Sequence, residues 1–470
     1  MFNRISKLVQ KKDETADTKK KPVTYNFDCD NYQWPNLYQE ADELTILAML
    51  MYTFTDLRHL AKEGKLSDNA SMLTLPVTLS TVLRTIQANQ QAIEKEAAGH
   101  EIHEMAQSAL ESIQERYNTQ SATSVSGKMS WLDSFTRMQN TAPEEPATLL
   151  AFGDENPDKE LVYGVGIDHI RKRVTVAFRG SVTATDFFTD ACIEFNRREN
   201  PLYKKKSEKE ASAVDGTGSE KQQPTIGIHH GFDEYLLKRR KVDGKECKYD
   251  EILKIVHEVF AVGTRRNEYK LYVTGHSLGG ALACLFAFEI AASDTAMIPS
   301  PVTCVSVASP RVGDQAFQSA FSTLEVEGKL RHLRIAHAQD PVTMMPKTSS
   351  RQILAMVSPI VFIGLAIKES LFTSNETYRH TGVKLRLFSN KSKHYEISYA
   401  GVTTVQEEVA QDHNEKQVDK QVKSSSGRQM DFVNIPGVSY HYGPTYTEQL
   451  AKCKEELSQK SLNKLYASLG

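Results

Sequence analysis

Two patterns of apolar and polar residues divide the chain. Over residues 43–60, apolar side chains recur at helical spacing, among them Leu44, Leu47 and Met51, and this predicts an amphipathic helix. Helical character continues through the Gln- and Glu-rich residues 81–117. This part of the chain therefore predicts a helical layer that packs on a core or caps it.

From residue 161 onward, short apolar runs alternate with stretches of helical spacing. The runs that predict strands are residues 161–167, 174–178, 271–273, 302–308 and 332–336. Strands separated by helices favour a parallel sheet with helices on both faces. The predicted fold class is therefore α/β, with a mostly parallel central sheet flanked by helices and an N-terminal helical region.

Changes of composition suggest where these regions begin and end. Residues 204–223 and 402–428 are polar inserts without apolar anchors. The expected organisation is a basic tail at 1–24, the helical region at 25–150, an α/β domain at 151–450 that carries both inserts, and a C-terminal helix at 451–470. We expect the tail to be solvated. The alternative is a weak surface-binding helix, because Phe2, Ile5 and Leu8 share one helical face.

Residues 275–279 read Gly-His-Ser-Leu-Gly and lie between an apolar run and a stretch of small residues that can begin a helix. A serine at a tight turn from strand to helix projects its hydroxyl from the carboxyl edge of a sheet. The context predicts that Ser277 is a nucleophile, and an inert serine in a glycine-rich turn is the alternative. Because a serine hydroxyl is a weak nucleophile at neutral pH, this chemistry also requires an imidazole base and a carboxylate.

Asp340 is the candidate carboxylate. Residues 333–336 alternate as a strand does, and Asp340 follows where that strand would end, directly before Pro341. In hydrolases built on such a turn, the serine, the acid and the histidine come in that order, each at the end of a later strand. An ordinary Asp-Pro turn is the alternative.

The base is expected among the histidines that follow Asp340, which are His380, His394, His413 and His441. His413 lies in a polar insert, and His394 opens an alternating stretch that is typical of a strand. His441 lies in a loop just before a C-terminal helical pattern, the usual place for the last member of such a triad. His441 is therefore the predicted base, and His380 is the alternative.

Four separated blocks resemble, in the same order, those of the fungal-type class 3 triacylglycerol lipases, which have the α/β-hydrolase fold. The blocks are Val-Ala-Phe-Arg-Gly-Ser at 176–181, His-Gly-Phe at 230–232, the surroundings of Ser277 at 273–281, and Ala-Ser-Pro-Arg-Val-Gly at 308–313. The resemblance implies a triad of Ser277, Asp340 and His441. It also implies that Ser181 and Leu278 supply backbone N–H groups to an oxyanion hole. Residues 378–382 resemble a structural block of the family, which is why His380 is placed second.

Two further segments have sequences that suit contact with lipid, and each also has an alternative inside the protein. In the resembled family, the position of residues 183–195 carries a lid, a short amphipathic helix that covers the nucleophile until an apolar interface displaces it; an ordinary packed helix is the alternative. Residues 353–367 contain no charge, and as a helix they would reach about 22 Å, short of the roughly 30 Å hydrocarbon core. They are expected to be a buried element of the core or an element that dips into lipid.

Composition disfavours some classes of function. The formal net charge is −2, from 57 basic and 59 acidic residues, so no overall field favours nucleic acid. His100 and His103 are three residues apart on a predicted helix but have no third ligand beside them, so a solvated helix face is preferred to a metal site. No metal or cofactor is expected.

The cysteines and the first residues predict the location of the protein. Six cysteines are scattered without a Cys-x-x-Cys pair, which fits a reducing compartment better than a disulfide scaffold. Residues 1–10 hold no apolar core long enough for a secretory signal. The expected location is therefore intracellular and cytoplasmic, with association with lipid droplets or a membrane surface.

These observations predict a serine carboxylic-ester hydrolase. The resemblance implies a triacylglycerol lipase that releases fatty acids from acylglycerols through an acyl-serine intermediate. Its expected partners are an acylglycerol or other lipid ester as substrate and a lipid droplet or membrane surface. A phospholipase or diacylglycerol lipase with the same triad is the nearest alternative, and a non-catalytic lipase-like scaffold protein is the alternative from another class.

Overall fold

The structure of this 470-residue chain is a computed structural model. It describes residues 32–89, 91–92, 147–155, 160–180, 195–203, 224–238, 246–293, 295–346, 377–389, 394–400, 438–441 and 443–468. Several predictions lie outside these ranges: the tail at 1–24, the helical pattern after residue 92, both polar inserts, the apolar segment at 353–367, and His100, His103 and His413.

The described residues form one nine-stranded sheet and one separate two-stranded sheet. The strands of the large sheet are β1 Val77–Thr78, β2 Ala147–Gly153, β3 Tyr163–Asp168, β4 Arg173–Phe178, β7 Lys270–His276, β8 Val302–Val307, β9 Leu330–His337, β10 Val383–Leu387 and β11 Tyr395–Tyr399. The small antiparallel sheet pairs β5 Phe195–Glu199 with β6 Thr225–His229.

The large sheet has the order β1-β2-β3-β4-β7-β8-β9-β10-β11. Its central strands β4, β7, β8, β9 and β10 run parallel, while the pairs at both edges are antiparallel. The predicted α/β class with a parallel central sheet is therefore confirmed, and each of the five apolar runs predicted to be a strand overlaps one of its strands.

Helices cover both faces of this sheet. They are α1 Leu37–Lys62, α2 Asn69–Leu73, α3 Leu79–Ala88, α4 His230–Leu237, α5 Lys248–Phe260, α6 Arg265–Glu268, α7 Leu278–Ser293, α8 Gln315–Val326, α9 Gly443–Lys452, α10 Lys454–Ser458 and α11 Leu462–Ala467. None of the helices in the described ranges combines the length and the apolar character that crossing a membrane requires.

Successive side chains of β7 point to opposite faces of the sheet, and this explains why an apolar cluster lies on each face. Leu271 and Val273 pack into the apolar cluster shared with α5, α7 and α8, whereas Tyr272 points to the opposite cluster, shared with α1, α9 and α11. Both faces of a central parallel strand are thus buried, as the continuous apolar runs of the sequence indicate. Helix α7 is apolar on all sides because it lies inside the first layer.

Helix α1 packs directly on the sheet, against β7 and β8. It begins earlier than the predicted residue 43 because Asn36 and Gln39 form a capping box, in which the Asn36 side chain accepts from the Gln39 N–H at 2.9 Å. Its Glu40 carboxylate accepts a hydrogen bond from the Tyr272 hydroxyl at 2.7 Å. The boundary predicted at residue 150 stays a prediction, and strand Ala147–Gly153 runs across it.

Candidate active site

Ser277 lies at the turn between the end of β7 and the start of α7. Its backbone adopts φ +57°, a left-handed conformation that is costly for residues with a side chain and is held only where the surroundings enforce it. One enforcing contact is the Ser277 N–H, which donates to the Val307 carbonyl on β8 at 2.9 Å. The turn projects the hydroxyl from the carboxyl edge of the parallel strands, as predicted from residues 275–279.

The glycines on either side of Ser277 allow the strand and the helix to approach. A Cβ atom added to Gly275 would lie 2.3 Å from the backbone of Gly279, and one added to Gly279 would lie 2.3 Å from the Phe178 carbonyl oxygen. Neither position can hold a side chain without moving the backbone. The Gly-x-Ser-x-Gly spacing is therefore a packing requirement of this turn.

The structure brings Ser277, Asp340 and His441 together by hydrogen bonds. The His441 Nε2 atom is 2.9 Å from Ser277 Oγ, and His441 Nδ1 is 2.9 Å from Asp340 Oδ2. All three side chains are buried. Since an ionised carboxylate only accepts, Nδ1–H donates to Asp340, so Nε2 carries the lone pair that can take the serine proton.

Asp340 follows the end of β9 and is held ionised by three donors. Burial alone would raise the pKa of this carboxyl, but the His441 ring, the Tyr446 hydroxyl and the Val342 backbone outweigh it, and the pKa is lowered. Tyr446 donates to Oδ2 at 2.7 Å and the Val342 N–H donates to Oδ1 at 2.9 Å. The negative charge therefore stays beside the imidazole, where it can stabilise a protonated ring.

The alternative base, His380, lies elsewhere in the structure. Its carbonyl accepts from the Gln318 side chain at 2.8 Å, and the neighbouring Arg379 pairs with Gly313. Burial and the charge of Arg334 lower the pKa of His380 well below its usual range. The described geometry thus places His441 against Ser277, and the catalytic roles of all these residues stay predictions.

The two predicted oxyanion donors differ in what the structure describes. Leu278 begins α7, so its N–H belongs to the first helical turn, where no intrahelical acceptor is available. Ser181 lies outside the described residues. Its neighbour Gly180 is close to the nucleophile, because a Cβ atom on Gly180 would lie 3.1 Å from Ser277 Cβ. The predicted lid also lies outside the described part except for Phe195, which begins β5.

Two tyrosines near Asp340 were not found from the sequence. Tyr446 on α9 accepts from the His337 N–H at 3.0 Å while it donates to Asp340. The ring of Tyr440 stacks on His337 with centroids 4.6 Å apart. The sequence signal was weak: both tyrosines are close to His441 in the chain, but nothing in their spacing identifies Asp340 or His337 as a partner.

A metal centre finds no support among the described residues, because no group of three or more His, Cys, Asp or Glu side chains there could hold an ion. The arrangement that is present can deprotonate a hydroxyl and hold the resulting imidazolium beside a carboxylate. This is the chemistry of acyl transfer through a serine.

Comparisons with known proteins identify the region around this site. Residues 175–350 match the family model of lipase, class 3. Phospholipase A1-II 7 of Oryza sativa subsp. indica is 29% identical over 223 residues, which cover 44% of this chain and 46% of that protein. Phospholipase A1-II 3 of the same organism is 30% identical over 195 residues, which cover 39% of this chain and 41% of that protein. The chain thus spans less than half the length of these curated relatives.

Among solved structures, Rhizomucor miehei triacylglyceride lipase aligns with a TM-score of 0.38 and 18% identity, over 72% of this chain and 97% of that one. The residues that match the family model include Ser277 and Asp340, whereas His441 lies beyond them and is placed by the structure. The resemblance to class 3 lipases predicted from the four sequence blocks is confirmed by this match, which spans residues 175–350 of the chain.

Proposed function

We propose that this protein is a serine carboxylic-ester hydrolase that cleaves the ester bond between a fatty acid and glycerol, with triacylglycerol as the first candidate substrate. One observation carries the proposal: His441 Nε2 lies 2.9 Å from the Oγ atom of a serine held at a strand-to-helix turn, with Asp340 behind the imidazole. The match of residues 175–350 to the class 3 lipase family model supports the same chemistry.

The reaction follows from this geometry. His441 Nε2 takes the Ser277 proton while Oγ attacks the ester carbonyl carbon, and Asp340 stabilises the imidazolium. The oxyanion is stabilised by the Leu278 N–H and by the predicted Ser181 N–H, and one such donor contributes about a hundred- to thousandfold in rate. The imidazolium then protonates the leaving glycerol oxygen. Water, deprotonated by His441, attacks the acyl-serine and releases the fatty acid.

A phospholipid is the second candidate substrate. The curated relatives described above are named phospholipases A1, which favours an ester bond of a phosphoglyceride. The triad chemistry is the same for both substrates, because the bond that breaks is a fatty-acid ester in each. The head group is therefore to be decided by assay.

An intracellular location at lipid droplets or membrane surfaces is part of the proposal. Each of Cys247, Cys284, Cys304 and Cys453, the cysteines in the described ranges, is a buried free thiol, which supports a reducing compartment. Co-localisation of the tagged full-length chain with droplet and organelle dyes tests this. Accumulation in the culture medium would contradict it.

The function is tested by labelling and by lipid turnover with the same protein preparations. A fluorophosphonate probe should label the wild type, and Ser277→Ala should lose both the label and the hydrolysis of every lipid ester. Ser293→Ala is the matched control, because Ser293 ends the same helix and its hydroxyl is bonded to the Ile290 carbonyl. Labelling of Ser293→Ala should equal that of the wild type.

Triacylglycerol, diacylglycerol, phosphatidylcholine and galactolipid are then offered separately as emulsions or vesicles, and released fatty acid is measured. Preference for triacylglycerol supports the first candidate, and preference for phosphatidylcholine the second. Equal hydrolysis by wild type and Ser277→Ala would refute the nucleophile. A labelled protein that turns over none of the lipids would favour a scaffold over an enzyme.

A further inference from the structure

A tyrosine of the N-terminal helix reaches the centre of the site through a histidine. Tyr52 lies on α1, is 2% exposed, and its hydroxyl is 3.1 Å from Nδ1 of His276. His276 is the residue before the nucleophile, and its Nε2 atom is 2.8 Å from the backbone carbonyl oxygen of His441. A continuous path of hydrogen bonds therefore joins α1 to the backbone of the base.

The direction of each hydrogen bond in this path is determined. Burial, with the neighbouring His441, lowers the pKa of His276 to about 3, so its ring is neutral and has one donor and one acceptor. The carbonyl of His441 can only accept, so Nε2–H is the donor. It follows that Nδ1 accepts, and that the Tyr52 O–H donates to it.

The same hydroxyl also contacts the end of β4. The backbone N–H of Gly180 donates to the Tyr52 oxygen, and a Cβ atom on Gly180 would lie 2.2 Å from that oxygen. Gly180 precedes Ser181, the predicted oxyanion donor. Burial raises the pKa of Tyr52 far above its ordinary value, so the hydroxyl keeps its proton and can donate and accept at once.

We propose that Tyr52 is a positioning residue of the active site, because it fixes the His441 backbone through His276 and also anchors the strand end at Gly180. One phenol thereby sets the spacing of three segments that are far apart in the chain: the oxyanion strand, the nucleophile turn and the base. The N-terminal helix, which lies outside the residues that match the family model, is then part of the catalytic apparatus. This inference rests on the proposed ester hydrolysis.

Tyr52→Phe tests the inference, since it removes only the hydroxyl. With a soluble p-nitrophenyl ester as substrate, kcat should fall about ten- to a hundredfold because the imidazole is no longer held in position, while KM stays within about threefold. The matched control is Tyr272→Phe. Tyr272 is also buried between α1 and the sheet, and its hydroxyl donates to Glu40. Its loss should lower the melting temperature but leave kcat within about twofold.

A double-mutant cycle that combines Tyr52→Phe with His276→Gln tests whether Tyr52 acts through His276. If Tyr52 acts through His276, the fall in kcat caused by Tyr52→Phe should be several times smaller in the His276→Gln background than in the wild type. Thermal unfolding of each variant shows whether it is folded at the assay temperature. If Tyr52→Phe does not fold, His276→Gln alone must lower kcat at least tenfold with KM unchanged.

Three outcomes would overturn the inference. These are an unchanged kcat in Tyr52→Phe, a fall in kcat in Tyr272→Phe as large as that in Tyr52→Phe, and full additivity of the kcat effects of Tyr52→Phe and His276→Gln. In each case wild-type turnover and labelling of Ser277 would remain, so the proposed function would stand. A wild type that neither labels nor hydrolyses any ester would overturn the proposed function and this inference with it.

Discussion

Ser277, the predicted nucleophile, and His441, its predicted base, are held in place in different ways. The nucleophile segment, which comprises β7, Ser277 and α7, is fixed mainly by its own close packing, since Gly275 and Gly279 touch across the turn. The base segment, residues 438–441 and the start of α9, is fixed by residues far away in the chain. His441 is bonded to His276 across 165 positions, and Tyr446 to Asp340 across 106.

The difference shows that this fold positions the two side chains by different means. A strand followed by a tight turn and a buried helix is rigid by local geometry, so the serine needs few outside contacts. The histidine needs many, because its backbone is in a short 3-10 helix, Val438–His441, that is not part of the sheet. Substitutions should accordingly disturb the nucleophile through packing and the base through hydrogen bonds.

The largest effect is expected for the base itself. His441→Ala should lower kcat by on the order of 10⁶, as removal of a triad histidine does, while the fold remains. His380→Ala is the matched comparison, because His380 bonds to the Thr343 backbone and not to Ser277. It should keep its rate and lose about 1–3 kcal/mol of unfolding free energy. Equal inactivation of both folded variants would reverse the assignment.

The local packing of the nucleophile segment is tested by Gly275→Ala. The added methyl group meets backbone atoms of Gly279 at 2.3 Å, so the free energy of unfolding should fall by about 3 kcal/mol. Urea unfolding measures this. Gly263→Ala is the control, because its Cβ atom would meet nothing within 4 Å and only its positive φ would cost about 1 kcal/mol. Similar losses in the two variants would mean that contact at the turn is unimportant.

Hydrogen bonding to the acid is tested by Tyr446→Phe. The Asp340 carboxylate would lose one of its donors, and its pKa should rise toward its ordinary range because the Tyr446 bond lowers it. We expect kcat to fall about tenfold, the effect of one hydrogen bond to a charged group. Steady-state kinetics with a soluble ester measure the change. An unaltered kcat would show that the other two donors suffice.

The smallest effect concerns pH and His276. Its pKa is about 3 in the folded protein and about 6.5 when exposed, so the unfolded chain binds a proton between these values that the folded chain does not. Stability should therefore fall as the pH is lowered below 6.5. Between pH 7.5 and 5.5, the free energy of unfolding of His276→Gln should fall by about 1 kcal/mol less than that of the wild type.

Urea unfolding at both pH values measures that slope. His59→Gln is the control, since His59 is exposed on α1 with a side chain 61% accessible, and it should behave as the wild type does. If the free energy of unfolding of His276→Gln changed with pH as that of the wild type does, the buried ring of His276 would have to be protonated in the folded state.

Much of the nucleophile segment could be predicted from the sequence because its rules are local. The apolar run 271–273, the glycines at 275 and 279, and the small residues after them all constrain one short stretch. Asp340 was found by its position after a strand, and His441 by chain order and its place before a helix. These inferences need only spacing along the chain.

The rest depends on contacts that spacing does not encode. Tyr52 lies on the buried side of a helix, where a tyrosine is ordinarily a core residue, and only the structure brings it to His276. The edge strand β1 and the strand β10, which lies next to the other edge, have few residues and no motif. Such short strands take their place from the partners they pair with, so their apolar pattern alone is insufficient.

The anchoring of His441 has a consequence for how the length of this chain can change. Because hydrogen bonds to His276 and Asp340 hold His441, its position does not have to be set by the number of residues between 400 and 438. Each doubling of the length of such a connection costs only about 0.6 kcal/mol in the entropy of loop closure. Evolution can therefore lengthen or shorten that connection while the hydrogen bonds of His441 are retained.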